Sequence, residues 1–243
     1  MRIAINGFGR IGRNIARHLL SNDDFKDIEL VAVNDLGSID ANAHLLKYDS
    51  VHGILDKDIA VNSEKALISI DAKDVLYLSE RDPSNLPWSE LEIDFVFEST
   101  GFFTKVDDAK KHIDAGAKKV IISAPSPDVE KTIVYGVNHN FLDSDDVIIS
   151  NASCTTNCLA PIVKVIHENF GIKSGLINTV HASTNDQSLL DVAHSDLYRA
   201  RAASASMIPS KTGAAKAIGL VIPELDGKLN GLATRVPTLN VSM

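Results

Sequence analysis

The first 35 residues constrain the fold most. Arg2-Ile3-Ala4-Ile5-Asn6 is a short apolar run of strand type. It passes directly into Gly7-Phe8-Gly9-Arg10-Ile11-Gly12 and then into a helical pattern from Ile11 to Leu20. A second apolar run, Glu29-Leu30-Val31-Ala32-Val33, ends in Asn34-Asp35. Together they make a strand, a Gly-rich turn, a helix and a second strand. The glycines fit a specific use of that unit. Gly7 allows a tight turn, Gly9 lets a ligand's phosphates approach the backbone, and Gly12 lets the helix pack close to the strand. An acidic residue at the end of the second strand, here Asp35, is placed to accept hydrogen bonds from ribose hydroxyls and would repel a 2′-phosphate. The alternative is a Gly-rich loop of another α/β protein with Asp35 as a cap.

Strand and helix patterns continue to alternate. Further strands are expected at 66–70, 75–79, 94–99 and 119–123, and helices at 40–48 and 105–115. The apolar strands lack a clean polar/apolar alternation, as expected for a sheet covered on both faces. In such a doubly wound sheet, ligands sit at the carboxyl ends of the strands. Asp35, Ser99-Thr100 and Ser123 fall at those ends, where each could also be a cap or turn residue. The fold class is therefore α/β, a Rossmann-type doubly wound parallel sheet, followed by an α+β catalytic domain. The division is placed at 1–152 for the dinucleotide-binding domain and 153–243 for the second. A net charge of −8 gives no reason to expect a nucleic-acid surface, and no apolar run reaches membrane-spanning length. Two cysteines do not make a disulfide framework and fit a reducing, cytoplasmic setting.

The second region opens on Ser153-Cys154-Thr155-Thr156-Asn157-Cys158. A strand at 147–150 leads into it and a helical pattern follows over 155–169. Cys154 thus stands where a helix begins, and unpaired amides with the helix dipole favour a thiolate there. His181 closes a strand expected from 175, and a histidine there could hold the thiolate or act as its base. Taken alone, the two cysteines could equally be small buried hydrophobes. Beyond them lie a polar loop, Ser183-Thr184-Asn185-Asp186-Gln187-Ser188, a basic stretch, Tyr198-Arg199-Ala200-Arg201, and Pro209-Ser210-Lys211-Thr212-Gly213. Strands are expected at 231–233 and 236–242. The chain stops inside that last apolar stretch, which reads as an incomplete C-terminus.

Four motifs occur together: Ala4-Ile5-Asn6-Gly7-Phe8-Gly9-Arg10-Ile11-Gly12-Arg13, Ser153-Cys154-Thr155-Thr156-Asn157-Cys158, Thr212-Gly213-Ala214-Ala215-Lys216 and Arg235-Val236-Pro237-Thr238. In this order, over the whole chain, the sequence resembles the phosphorylating glyceraldehyde-3-phosphate dehydrogenases. The resemblance implies that Cys154 attacks an aldehyde, that His181 raises the thiolate population and takes the hydroxyl proton, and that hydride passes to NAD. A thioester on Cys154 then yields to inorganic phosphate. It implies that Gly7, Gly9, Arg10, Ile11, Gly12, Asp35, Arg81, Ser123 and Asn185 serve the cofactor, with Arg10 and Ile11 acting through their backbone amides. It implies that Thr184, Asp186 and Arg235 hold the substrate phosphate. Ser153, Thr155, Thr212 and Gly213 would hold the attacking phosphate, with Arg199 between the two sites. Arg201 is read instead as a solvated or interface charge. No metal is implied.

The family also implies a homotetramer, with the segment 183–206 lying between subunits, and a sugar phosphate as partner. Ala193 stands where strongly NAD-preferring members often carry Pro, which leaves room for NADP as a second cofactor. Competing readings are erythrose-4-phosphate dehydrogenase, an aspartate-semialdehyde-type dehydrogenase and a truncated, non-catalytic dinucleotide-binding protein. The Thr184-Asn185-Asp186 and Thr212-Gly213-Ala214-Ala215-Lys216 sequences fit the glyceraldehyde-3-phosphate dehydrogenases better.

Overall fold

The computed structural model describes all 243 residues. The chain forms two compact units: residues Met1–Thr132 with Leu142–Asn151, and Ile133–Phe141 with Ala152–Met243. No helix is long and apolar enough to cross a membrane.

The first unit contains β1 (Arg2–Asn6), α1 (Arg10–Ser21), β2 (Glu29–Asn34), α2 (Ile39–Lys47), β3 (Tyr48–Asp49), β4 (Gly53–Ile54), β5 (Ile59–Asn62), β6 (Leu67–Ile70), β7 (Lys73–Leu78), β8 (Phe95–Glu98), α3 (Val106–Asp114), β9 (Lys119–Ile122), β10 (Lys131–Thr132) and β11 (Ile148–Ser150). Its nine-stranded sheet runs β10-β11-β9-β8-β1-β2-β7-β6-β5. The strands are parallel from β10 to β7, and an antiparallel meander adds β6 and β5. The uninterrupted apolar runs have a direct cause. Period-two alternation sends Ala4 and Ala32 to one face and Ile5 and Val33 to the other, and each face has its own core. Trp88, Ile93, Val96 and Val120 fill the first, and Phe8, Leu46, Ile68 and Val75 the second. In α2, Ser38 caps the Ala41 N–H at 3.2 Å, Asp40 lies in the first turn and Lys47 in the last, all matched to the helix dipole.

Register creates a polar row where the parallel strands end. Asn6 of β1 pairs with Asn34 of β2 on one side and Glu98 of β8 on the other. Strand β1 is flanked by β2 and β8, whose connections run to opposite edges of the sheet, so the carboxyl end of β1 is the switch point where doubly wound sheets open a crevice.

The second unit contains α4 (Cys154–Phe170), β12 (Gly175–Ala182), β13 (Ile208–Lys211), α5 (Ala214–Val221) and β14 (Leu229–Val236). Its sheet runs β12-β14-β13, with β12 and β14 parallel and β13 antiparallel to β14. Ala160 and Val163 of α4 and Ile218 and Val221 of α5 share a core with Val134 and Leu225.

Two expectations need correction here. The strands expected at 231–233 and 236–242 are replaced by one strand, β14, that ends at Val236. Pro237 has no N–H to continue a ladder, and the Thr238 N–H turns back to the Val236 carbonyl at 2.8 Å. Residues 241–243 instead bond to β12, with Val180 and Met243 exchanging backbone hydrogen bonds of 2.7 and 2.9 Å. The Pro209-Ser210-Lys211 segment, for which no element was expected, forms β13, and helix α5 follows it. Pro209 is tolerated because β13 is an edge strand.

Candidate active site

In the first unit, the Gly-rich turn and the ends of β1, β2, β7 and β8 enclose a cavity of about 370 Å³. Its walls include Gly7, Gly9, Asp35, Arg81, Thr100 and Phe103. The three glycines have different geometric grounds. Gly7 has φ +91°, and a Cβ there would lie 2.6 Å from the Thr100 nitrogen. Gly12 packs α1 onto the turn so closely that a Cβ would meet the Gly7 carbonyl oxygen at 2.1 Å. A Cβ on Gly9 would meet nothing within 4 Å. Gly9 supplies no side-chain cap to α1, and no acidic residue occupies the first turn, so the helix start keeps its attraction for a ligand anion. An open glycine beside a bare helix start fits a dinucleotide diphosphate.

Asp35 closes this arrangement. Its carboxylate accepts the Phe8 N–H (2.8 Å), the Gly37 N–H (2.8 Å) and the Asn42 side-chain amide (3.2 Å). It ties the end of β2 to the Gly-rich turn while it lines the cavity. The Arg10 side chain pairs with Asp49. Burial alone would raise the Asp49 carboxyl, but the His52 and Val51 N–H groups and Arg10 outweigh it and hold Asp49 well below the usual carboxylate range. Ile11 is half exposed at the start of α1, and Arg81 is exposed on the cavity wall. Ser123 bonds to the Glu98 carbonyl (3.0 Å) and to the Ser99 hydroxyl (3.2 Å), bracing the end of β8.

Beneath the cavity runs a polar chain that sequence reading missed. The Trp88 indole N–H donates to His112 Nδ1 at 2.9 Å. That leaves the ring proton on Nε2, which donates to Glu98 Oε2 at 3.0 Å. Asn34 donates to Asn6 Oδ1 (2.7 Å), and Asn6 donates to Glu98 Oε2 (2.6 Å). Glu98 also receives the Thr100 N–H at 2.8 Å and the Thr100 hydroxyl. Trp88, His112, Glu98 and Asn6 are all almost wholly buried. The available signal was a Glu ending the apolar run Phe95-Val96-Phe97, with Asn ending two other apolar runs.

In the second unit, Ala152 takes φ +58°, a left-handed conformation rare for alanine, just before the helix that carries the cysteine. Ser153 caps α4, with its hydroxyl accepting the Thr156 N–H at 3.0 Å and bonded to the Thr156 hydroxyl at 2.7 Å. Cys154 is the first helical residue, and its Sγ lies 3.2 Å from His181 Nε2. Both cysteines are free and exposed, so neither is a buried small hydrophobe. His181 is 7% exposed at the end of β12. Burial pushes it below its ordinary value; the Ala182 carbonyl opposes this, while Arg235 and Arg199 reinforce it.

Arg235 Nη1 lies 2.6 Å from His181 Nδ1. Arg199 is fixed by Ser210 Oγ (2.8 Å), by the Lys211 carbonyl (3.3 Å) and by Asp186. Burial would raise the Asp186 carboxyl, yet hydrogen bonds from Arg199 and His194 hold it below its usual range. Asp186 thus orients a cation. Thr212 and Gly213 stand at the start of α5, where Thr212 Oγ1 accepts the Ala214 N–H at 3.2 Å. Thr155 is buried in the first turn of α4. Thr184 and Asn185 are exposed in the loop after β12, and Arg201 pairs with Asp191 at 3.0 Å on the surface.

A cavity at a Gly-rich turn in one unit and a Cys–His pair among arginines in the other fit one class, an oxidoreductase that uses a nicotinamide dinucleotide. Residues 1–106 match the family described as "Glyceraldehyde 3-phosphate dehydrogenase, NAD binding domain" and residues 153–243 its "C-terminal domain". Along its full length the chain is 58% identical to glyceraldehyde-3-phosphate dehydrogenase of Geobacillus stearothermophilus, 71% of which it covers. It is 55% identical to that of Pseudomonas aeruginosa and 56% to glyceraldehyde-3-phosphate dehydrogenase 2 of Trichormus variabilis, in each case over its full length and 72% of the relative. The chain belongs to the glyceraldehyde-3-phosphate dehydrogenase family.

Proposed function

We propose that this chain catalyses the NAD-dependent oxidative phosphorylation of D-glyceraldehyde 3-phosphate to 1,3-bisphosphoglycerate. The observation that carries the reading is the Cys154–His181 contact of 3.2 Å at a helix start, with Arg235 bonded to the same histidine. The Cys154 thiolate adds to the aldehyde carbon, and the resulting alkoxide takes back the proton that His181 had received from the thiol, giving a hemithioacetal. His181 removes its hydroxyl proton as the carbon loses hydride, which leaves a thioester on Cys154. Bound NAD supplies the hydride acceptor. Phosphate then attacks the thioester carbonyl, releasing the acyl phosphate and the Cys154 thiolate. Splitting the oxidation into two steps keeps its free energy in the thioester until phosphate captures it.

Thr184 and Arg235 are assigned to the substrate phosphate, with Asp186 acting through Arg199. Ser153, Thr155, Thr212 and Gly213 are assigned to inorganic phosphate. Arginine suits this work because its planar fork grips phosphate oxygens in pairs. Gly7, Gly9, Arg10, Ile11, Gly12, Asp35, Arg81, Ser123 and Asn185 are assigned to the cofactor. Asp35 favours NAD, since a 2′-phosphate there would face a carboxylate. We take 1–152 as the cofactor domain and 153–243 as the catalytic domain, in a cytoplasmic homotetramer. The test is phosphate-dependent NAD reduction by the purified protein with glyceraldehyde 3-phosphate, compared with erythrose 4-phosphate and with the Cys154→Ser variant. Higher kcat/KM for erythrose 4-phosphate would reassign the substrate. Turnover retained in Cys154→Ser would overturn the mechanism.

A further inference from the structure

Glu98 ends β8 and is 1% exposed, and no step of the proposed reaction uses it. The hydrogen bonds around it fix its charge. The Asn34 side-chain nitrogen donates to the Glu80 carbonyl at 2.8 Å, and its oxygen accepts the Glu80 N–H at 2.8 Å. The same nitrogen therefore faces Asn6 as a donor, which turns the Asn6 oxygen toward Asn34 and the Asn6 nitrogen toward Glu98 Oε2. The Trp88 indole only donates, so His112 Nδ1 carries no proton. His112 is then neutral, and its one ring proton points from Nε2 at the same Oε2. Glu98 Oε1 accepts the Thr100 N–H. The Thr100 hydroxyl already accepts the Phe102 N–H at 3.1 Å, which leaves its hydrogen for Oε1. Both carboxyl oxygens face donors, so neither has room for a proton of its own. Glu98 is a carboxylate.

This buried anion has no cation beside it. Its ion-pair neighbour is the neutral His112, and its other donors are an amide, a backbone N–H and a hydroxyl. Burying an unpaired charge is unfavourable, and strongly placed charges of this kind gather where their field is used. The sheet shows where this field falls. In the order β9-β8-β1-β2, Glu98 of β8 and Asp35 of β2 lie on opposite sides of β1. A dinucleotide with its diphosphate at the Gly-rich turn and one ribose at Asp35 extends its other half over the ends of β8 and β9. Asn6, Ser99 and Thr100 line the cavity directly over Glu98 and separate it from solvent. Arg81, by contrast, is exposed on the wall, where water and salt screen it.

We infer that Glu98 selects the redox state of the bound cofactor: its buried, unpaired carboxylate at the end of β8 holds the oxidised, cationic nicotinamide more tightly than the reduced, neutral one. The inference rests on the proposed dinucleotide site. Hydride transfer carries two electrons and one proton from the hemithioacetal carbon to the ring, and it cancels the one cofactor charge that Glu98 attracts. Reduced cofactor then leaves more readily than oxidised cofactor, with a small bias against hydride transfer inside the site. Glu98 touches neither cofactor nor substrate in this role. It acts through its charge, while Asn6 and Thr100 form the surface between.

The test is calorimetric titration of the purified protein with NAD and with NADH, for wild type, Glu98→Gln and Thr100→Val. Glu98→Gln removes the charge. Thr100→Val loosens the same set of hydrogen bonds and keeps the charge. The ratio of the NADH and NAD dissociation constants should fall in Glu98→Gln on the order of fivefold, the scale of one charge acting over roughly 15–20 Å at an effective dielectric near 20. That fall corresponds to about 20 mV in the bound two-electron couple. Thr100→Val should weaken both cofactors together and leave their ratio where it was. An unchanged ratio in Glu98→Gln, or an equal fall in Thr100→Val, would overturn the inference and reduce Glu98 to a brace. Nitrogen NMR of the ¹⁵N-histidine-labelled wild type gives a second reading that does not depend on whether Glu98→Gln folds. A neutral His112 with its proton on Nε2 supports the inference. A His112 protonated on both nitrogens would pair a cation with Glu98 and overturn it, and a proton on Nδ1 alone would overturn it too. Failure of the wild type to bind either cofactor would instead overturn the dinucleotide assignment, and the His112 spectrum would still judge the charge of Glu98.

Discussion

Gly9 and Gly12 lie in one short motif, yet the structure gives them opposite consequences when a methyl group is added. At Gly12 the new Cβ would sit 2.1 Å from the Gly7 carbonyl oxygen and 2.9 Å from Ile5 Cγ2. The nearer obstacle is backbone, so α1 or the turn must move. Overpacking of this kind costs about 1–3 kcal/mol, and a backbone clash belongs at the upper end. Alanine returns about 1 kcal/mol through its better helix propensity. The net loss is on the order of 2 kcal/mol, which lowers the melting temperature by about 4–8 °C for a chain of this size. At Gly9 a Cβ would meet nothing within 4 Å, and φ is −75°, which alanine adopts freely. Alanine is a poorer N-cap than glycine by about 0.5–1 kcal/mol, but it also stiffens the unfolded chain by about 0.4–1 kcal/mol, so stability should barely change. The methyl would project into the space assigned to the diphosphate. Losing about 1.4 kcal/mol or more there weakens NAD tenfold or more. Calorimetric melting of the apo protein and titration with NAD separate the two effects. A Gly9→Ala protein that melts as low as Gly12→Ala, or binds NAD like the wild type, would refute the reasoning.

Cys154 should react with iodoacetamide well before Cys158, although both are exposed, because only Cys154 has an imidazole within 3.2 Å and a place at the helix start; labelling by peptide mass decides it. His181→Asn should lower turnover by about 10²–10⁴, as for loss of a positioned acid–base group, and unchanged turnover would remove His181 from the mechanism. Asp35→Gly should move the ratio of kcat/KM for NADP and NAD toward NADP, and it should also destabilise the turn, whose Phe8 and Gly37 N–H groups lose their acceptor. An unaltered ratio would place the ribose elsewhere. The depressed Asp49 carboxyl has a signed effect on acid stability. Its folded value lies below its unfolded one, so the stabilisation is present above the unfolded value of about 3.9 and is lost as pH falls toward the folded value. Urea midpoints measured from pH 6 to 3 should therefore fall less steeply in Asp49→Asn than in the wild type.

The features legible in the sequence are those that neighbours along the chain decide. The first strand, the Gly-rich turn and the helix after it follow from apolar runs and glycine chemistry within a few residues, and β1 and β2 fall where the pattern placed them. Ser153 before Thr156 is likewise a local cap signal, and it fixes Cys154 at a helix start. The second unit was less legible. A strand was expected through Pro237, which in fact follows the end of β14, while Pro209 lies inside β13, and only pairing with neighbours distant in sequence shows which of the two prolines ends a strand.

The sequence by itself determined the α/β class, the glycine turn, the acid after the second strand, and the identity of the cysteine and histidine, because backbone propensity and residue chemistry act over short spans. It could not determine register. That Arg235 lies beside His181 depends on how β14 slides against β12, and a shift of one residue would send the arginine to the other face. The chain from Trp88 through His112 to Glu98 and Asn6 depends on β8 lying next to β1 and on α3 covering them. Such contacts are chosen when the sheet assembles and buried polar groups must find partners, a condition the whole fold satisfies at once and no short segment encodes.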